Sequence, residues 1–173
     1  MRELCPESDR YSNRWFALGV RHQCERRVEG ALSAGGMETF VPLFRARRPW
    51  SDRVKQREAP LFPGYVFGRF SYREQLRVLQ TPGVAWIVGF GGVPAPLEDG
   101  EIGNLRSALA SKLDFRPWPH LYTGDRVRIE RGPLRGVEGI LLREKPGFRL
   151  VLGVEMLRRS VAVEVDPELV TRC

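Results

Sequence analysis

Cysteine and histidine are scarce in this sequence, with three Cys and two His among 173 residues. Cys5, Cys24 and Cys173 form no CxxC pair. An odd, sparse set argues against a disulfide framework and against a structural zinc site. His22 and Cys24 are close enough to share a metal, but the other ligands are missing, so a surface or capping histidine is expected. No serine stands in a GxSxG elbow, and no Walker or dinucleotide-binding glycine pattern occurs. Asp99 and Glu101, near a helix start, read as partners of the helix dipole rather than as an acid–base pair. Gly91-Gly92 reads as a turn, because no Lys-Ser/Thr follows it to build a phosphate cradle. No apolar run approaches the ~20 residues that span a bilayer, and residues 1–13 carry no signal-peptide stretch. Together these absences exclude the common catalytic signatures and favour a cytoplasmic binding protein with no cofactor, metal or membrane.

Charge is present in quantity. There are 28 Lys+Arg against 21 Asp+Glu, a net of +7. The sign suits a polyanionic partner, although solubility explains it equally well. Its location is more informative. The stretch 45–57 (RARRPWSDRVKQR) sets six basic residues against Asp52 alone, a net of +5. A solvated loop and a polyanion contact both remain open for it. With 42% hydrophobic residues the chain has enough apolar material for a core.

The pattern is α+β in two parts. Residues 14–20 (RWFALGV) read as a buried strand. Cys24, Val28, Ala31 and Leu32 then mark one face of a helix, which Gly35-Gly36 ends. Thr39–Leu43 is a strand, 45–57 a hairpin-like excursion, and Tyr65–Phe70 another strand. Tyr72, Leu76 and Leu79 mark a short helix, Val84–Phe90 a strand, and Ile102, Leu105 and Leu109 a last helix. This predicts an N-terminal α/β sandwich over 14–113 after an extension at 1–13. Two prolines in 114–121 (DFRPWPHL) read as a linker. From 122 to 173, short alternating runs (Val127/Ile129, Leu150/Leu152/Val154, Val161/Val163/Val165) between glycine turns predict a small barrel.

Two constellations stand out. In Leu61-Phe62-Pro63-Gly64-Tyr65-Val66-Phe67, Pro63 presets the second position of a type II turn, and Gly64 permits the positive φ of the third. The strand leaving that turn puts Tyr65 and Phe67 on one face, with Val66 and Phe70 on the other. The same alternation pairs Ala85 with Ile87, against Trp86, Val88 and Phe90. Aromatics on the face away from the helices need a second cover, from a partner or from this chain itself. The second constellation is Gly124-Asp125-x-Val127-x-Ile129-x-x-Gly132-Pro133-Leu134-x-Gly136-x-x-Gly139, where alternating apolar residues enter a tight glycine turn.

Over nearly its whole length the chain resembles the NusG family of transcription elongation factors. The order of motifs carries the resemblance: Arg14-Trp15-Phe16, then Phe62-Pro63-Gly64-Tyr65, then Gly83-Val84 with Gly89-Phe90-Gly91, then a linker and a KOW module of SH3-like form. Trp50-Ser51-Asp52-Arg53-x-Lys55 and Pro60-Leu61-Phe62-Pro63 are more similar to the operon-restricted antiterminators of the RfaH kind. The resemblance implies a non-enzymatic, monomeric antitermination or elongation factor whose KOW module is a five-stranded barrel. Its N-terminal domain would dock on the clamp helices of the RNA polymerase β′ subunit through Tyr65, Phe67 and Ile87, with Phe62, Pro63 and Gly64 at the turn. Arg21, His22, Arg26 and Arg27 would face the non-template DNA strand, joined by Arg48, Arg53 and Lys55 of the hairpin. In the KOW module, Met156, Leu157, Arg158 and Arg159 match the loop that meets partner proteins. The family's Phe-Gly-Arg is replaced there by Leu157-Arg158-Arg159, which puts binding to termination factor Rho in doubt and leaves a small-subunit ribosomal protein open. Two alternatives are a housekeeping factor supporting Rho-dependent termination and a KOW-containing RNA-binding or ribosome-associated protein.

Overall fold

A computed structural model describes residues 11–50, 53–111, 115–118, 124–144, 147–154, 157, 159–166 and 169–172. They fall into two compact units, Met1–Val41 with Phe62–Asp99 and Pro42–Leu61 with Gly100–Cys173.

The first unit is built on a four-stranded antiparallel sheet. Its order is β2 (Glu38–Phe40), β5 (Tyr65–Phe70), β1 (Arg14–Val20), β6 (Val84–Ile87). Every residue of β1 after Arg14 is buried, as an apolar central strand covered on both faces requires. Cross-strand partners share a face, so Ala17, opposite Phe67, lies on one side, and Phe16, opposite Gly68, on the other. Each side has its own aromatic cluster. Phe16 stacks on Phe70 with centroids 4.7 Å apart and meets Tyr72 edge-on at 5.2 Å. Phe67 meets Phe62 edge-on at 5.8 Å and lies 6.1 Å from Phe40. Packing of this kind adds about 0.5–1.5 kcal/mol per pair beyond burial.

Helix α1 (Glu25–Ala34) buries Val28 and Leu32, as its spacing predicts, but leaves Ala31 exposed. Gly35 and Gly36 end it, with Gly36 N–H donating to the Ser33 carbonyl at 2.9 Å. The Arg77 guanidinium donates to the Gly35 carbonyl at 2.6 Å, a cation at the negative end of the helix dipole. The next helix departs from its expected face. Ser71 and Glu74 form a capping box around a 3-10 turn (Tyr72–Glu74), so α2 begins only at Gln75 and runs to Leu79. The tighter turn advances the phase. Val78 is buried, whereas Leu76 and Leu79 are exposed. The strand expected over Val84–Phe90 also divides: β6 stops at Ile87, and β7 (Gly89–Phe90) pairs with β8 (Val93–Pro94) around Gly91-Gly92.

In the second unit, β3 (Leu43–Trp50) and β4 (Arg53–Pro60) form the expected basic hairpin. Helix α3 (Asp99–Ala110) buries Ile102 and Leu105 as predicted, but Leu109 is only half-buried and Ala108 completes the buried stripe instead. The C-terminal strands are β9 (Phe115–Trp118), β10 (Asp125–Ile129), β11 (Glu138–Glu144), β12 (Gly147–Val154), β13 (Arg159–Val165) and β14 (Val170–Arg172). They form one antiparallel sheet in the order β14-β10-β11-β12-β13-β9. This corrects the five-stranded barrel. Residues 115–118, read as linker, supply a sixth strand that pairs with β13, and among the described residues no ladder closes β9 onto β14. Val161 and Val163 are buried, and so is Ala162 between them. On α3, the Asn104 side-chain oxygen accepts the Glu138 N–H at 3.3 Å.

Candidate functional site

The motif residues of the first unit meet where β1 gives way to α1. The chain turns there over Arg21–Cys24, with Cys24 N–H donating to the Arg21 carbonyl at 3.0 Å. Gln23 has φ 56°, the one positive φ outside glycine among the described residues. Backbone bonds hold this junction from two sides. Val20 N–H donates to the Gly64 carbonyl, and Arg21 N–H to the Gly83 carbonyl, each at 2.9 Å. A side chain adds a third bond, in which Gly64 N–H donates to Glu25 Oε1 at 2.8 Å. Arg21, His22, Arg26 and Arg27 all stand exposed around this knot.

The Phe62–Tyr65 segment is the type II turn that its sequence predicts. Tyr65 N–H donates to the Phe62 carbonyl at 3.1 Å, and Gly64 has φ +84°. Pro63 is exposed at its tip, Gly64 and Tyr65 are half-buried, and Phe62 lies in the core. Tyr65 and Phe67 do share a face, since their β1 partners are Gly19 and Ala17. Phe67, however, is 0% exposed. Its ring is spent on the Phe40 and Phe62 contacts and is not at the surface.

Ile87 requires a correction. It pairs with Leu18, on the face opposite Tyr65 and Phe67. The register shifts between Gly19 and Val20, where Trp86 pairs with Gly19 and Val84 with Val20. Trp86, not Ile87, therefore joins Tyr65 across Gly19. A Cβ built on Gly19 would lie 2.1 Å from Trp86 Cε2, so the indole occupies the space a side chain there would take. Trp86 is 51% exposed. Alternation within one strand does not reveal this residue, because facing across strands depends on register. An aromatic on an edge strand opposite a glycine was the available signal.

The remaining candidates lie in the second unit. The hairpin register sets Arg48 opposite Lys55 and Trp50 opposite Arg53. Leu157 is 8% exposed, which leaves little of it for a partner, and Arg159 is half-buried. Met156 and Arg158 lie outside the described residues. On the sheet, Glu138 accepts from Arg128 Nε at 2.9 Å, and Arg126 lies 3.9 Å away. The Arg128 hydrogen bond, followed by its charge, lowers the Glu138 carboxyl below its ordinary pKa. Among the described residues no group of three or more His, Cys, Asp or Glu is placed to hold a metal ion, and no helix is long and apolar enough to cross a membrane.

The family model "Transcription termination factor nusG" matches residues 13–106, more than half of the chain. The transcription termination/antitermination protein NusG of Lactococcus lactis is 28% identical, with 88% of this chain and 89% of that protein covered. The protein of the same name from Thermus thermophilus is 24% identical, with 88% and 94% covered. Among solved structures, one titled "Domain interaction in Thermotoga maritima NusG" matches with a TM-score of 0.50 at 21% identity, covering 92% of this chain and 97% of that one. At that identity the likeness concerns the fold.

Proposed function

Because this chain belongs to the NusG family of transcription termination and antitermination factors, we propose that it docks on RNA polymerase through the Tyr65–Trp86 face and acts on elongation from there. The observation that carries this is the half-buried Tyr65 and the exposed Trp86 flanking Gly19, beside four exposed basic residues. The apolar pair offers contact area to a protein helix surface such as the β′ clamp helices. Aromatics of this kind commonly anchor interfaces. Arg21, His22, Arg26 and Arg27 offer cations to the phosphates of the non-template strand. Arg48, Arg53 and Lys55 on the hairpin extend the same role.

Two finer assignments belong with this proposal. Action on a restricted set of operons, favouring antitermination, rests on the Trp50–Lys55 and Pro60–Pro63 segments. Weak or absent Rho binding rests on Leu157 standing where an aromatic anchor is expected, and on its burial. A small-subunit ribosomal protein is the remaining partner for the C-terminal sheet.

The test is a titration of polymerase core at moderate salt with the wild type, Tyr65→Ala and Trp86→Ala. Both variants should bind at least tenfold more weakly, with an unchanged circular dichroism spectrum; truncating an aromatic hot spot costs about 2 kcal/mol or more. Phe67→Ala is unsuitable, since emptying a buried Phe site costs about 3–5 kcal/mol of stability. Wild-type affinity in both surface variants would overturn docking at this face.

A further inference from the structure

One acidic residue, Glu25, interrupts the basic series Arg21, His22, Arg26 and Arg27. Its carboxylate reaches 39 residues along the chain, where Oε1 accepts the N–H of Gly64. In a type II turn the only internal hydrogen bond runs from the fourth residue to the first. Here that is Tyr65 N–H to the Phe62 carbonyl. The polar groups of the third residue are left over. Both are taken by the β1–α1 junction: the Gly64 carbonyl by Val20 N–H, and the Gly64 N–H by Glu25. The first bond is backbone to backbone and would survive most substitutions. The second exists only because a side chain of this length and chemistry stands at the first helical position. A carboxylate suits that position, being favoured by the helix dipole and making a charge-assisted bond to N–H.

We infer that Glu25 is a positioning residue, whose carboxylate latches the Phe62–Tyr65 turn to the basic β1–α1 junction so that the apolar and the cationic contacts are presented as one rigid unit. The inference rests on the docking proposed above. Its consequence is coupling. Polymerase gripping Tyr65 also fixes where Arg21, His22, Arg26 and Arg27 stand, so the ordering cost of the nucleic-acid contact is met before binding. Without the latch, the Val20–Gly64 backbone bond still joins the turn to the junction, but no longer fixes the Gly64 N–H.

The full-length chain is compared with Glu25→Ala, Glu25→Asp and Glu25→Gln, alongside Tyr65→Ala. Affinity is measured for polymerase core alone and for an elongation complex assembled on a nucleic-acid scaffold. Glu25→Asp keeps the charge but shortens the reach by one methylene; Glu25→Gln keeps the reach and an acceptor oxygen. For wild type the elongation complex should bind more tightly than core. That gain should fall about tenfold in Glu25→Ala and Glu25→Asp, the loss expected for a hydrogen bond to a charged group. Glu25→Gln should restore it to within about threefold. A purely structural role would instead lower both affinities together with the melting temperature, and that result overturns the latch. An unchanged gain in Glu25→Ala and Glu25→Asp, with Tyr65→Ala still weak, overturns the latch and leaves docking standing. Tyr65→Ala binding like wild type would overturn docking itself, and the latch with it.

Discussion

Gln23 and Glu138 show how far single residues depart from their intrinsic preferences when neighbours demand it. A glutamine at φ 56° carries the left-handed cost of about 1–2 kcal/mol. It is tolerated because hydrogen bonds on both sides determine the path of the junction. Glu138 is governed instead by its hydrogen bond to Arg128, and then by that residue's charge. Arg128 holds its carboxyl below the ordinary 4.5, so the folded state binds that proton less readily than the unfolded chain. Stability from this group is therefore fully present above about pH 4.5 and is lost as pH falls through the lower, folded value. Urea unfolding between pH 3 and 7 should show the decline, and Glu138→Gln should remove its share of it. Because the pair is solvent-exposed, added salt should shrink the difference.

At the scale of elements, the site exists because two glycine turns clasp one strand–helix junction. Gly83 is the more sensitive of the two. Its φ is +107°, and a Cβ there would lie 2.9 Å from Val28 Cγ2 on α1. Gly83→Ala should cost about 1–3 kcal/mol through strain and overpacking, read as a lower melting temperature. The elements themselves were legible where local physics decides them. The positions Pro63 and Gly64 specified the type II turn, and the spacing of Val28 and Leu32 specified α1. Less legible was α2. A capping box formed by Ser71 and Glu74 added a 3-10 turn, and Val78, rather than Leu76 or Leu79, became the buried residue.

At the scale of the whole molecule, the surplus of positive charge becomes a measurable dependence on salt. If Arg26 and Arg27 meet phosphates, the affinity for an elongation complex should fall linearly with log salt concentration. The double variant Arg26→Ala/Arg27→Ala should flatten that slope by about 0.7 per contact with a single strand. Affinity for core polymerase without nucleic acid should be unaltered. An unchanged slope would remove these two residues from the nucleic-acid interface.

By itself, the sequence determined what is set within a few residues: the strand at 14–20, the helix ended by Gly35-Gly36, the Pro63-Gly64 turn and the hairpin over the basic stretch. Its order of motifs also determined the family, which the match over residues 13–106 establishes. Tertiary structure alone decided what depends on distant partners. It buried Phe67 between Phe40 and Phe62 and drew residues 115–118 into the C-terminal sheet. It also set β6 against β1 in the register that brings Trp86, not Ile87, beside Tyr65, and it carried the Glu25 carboxylate to Gly64. Alternation gives the faces of one strand, but which residues meet across a sheet or a turn is settled by packing the whole chain.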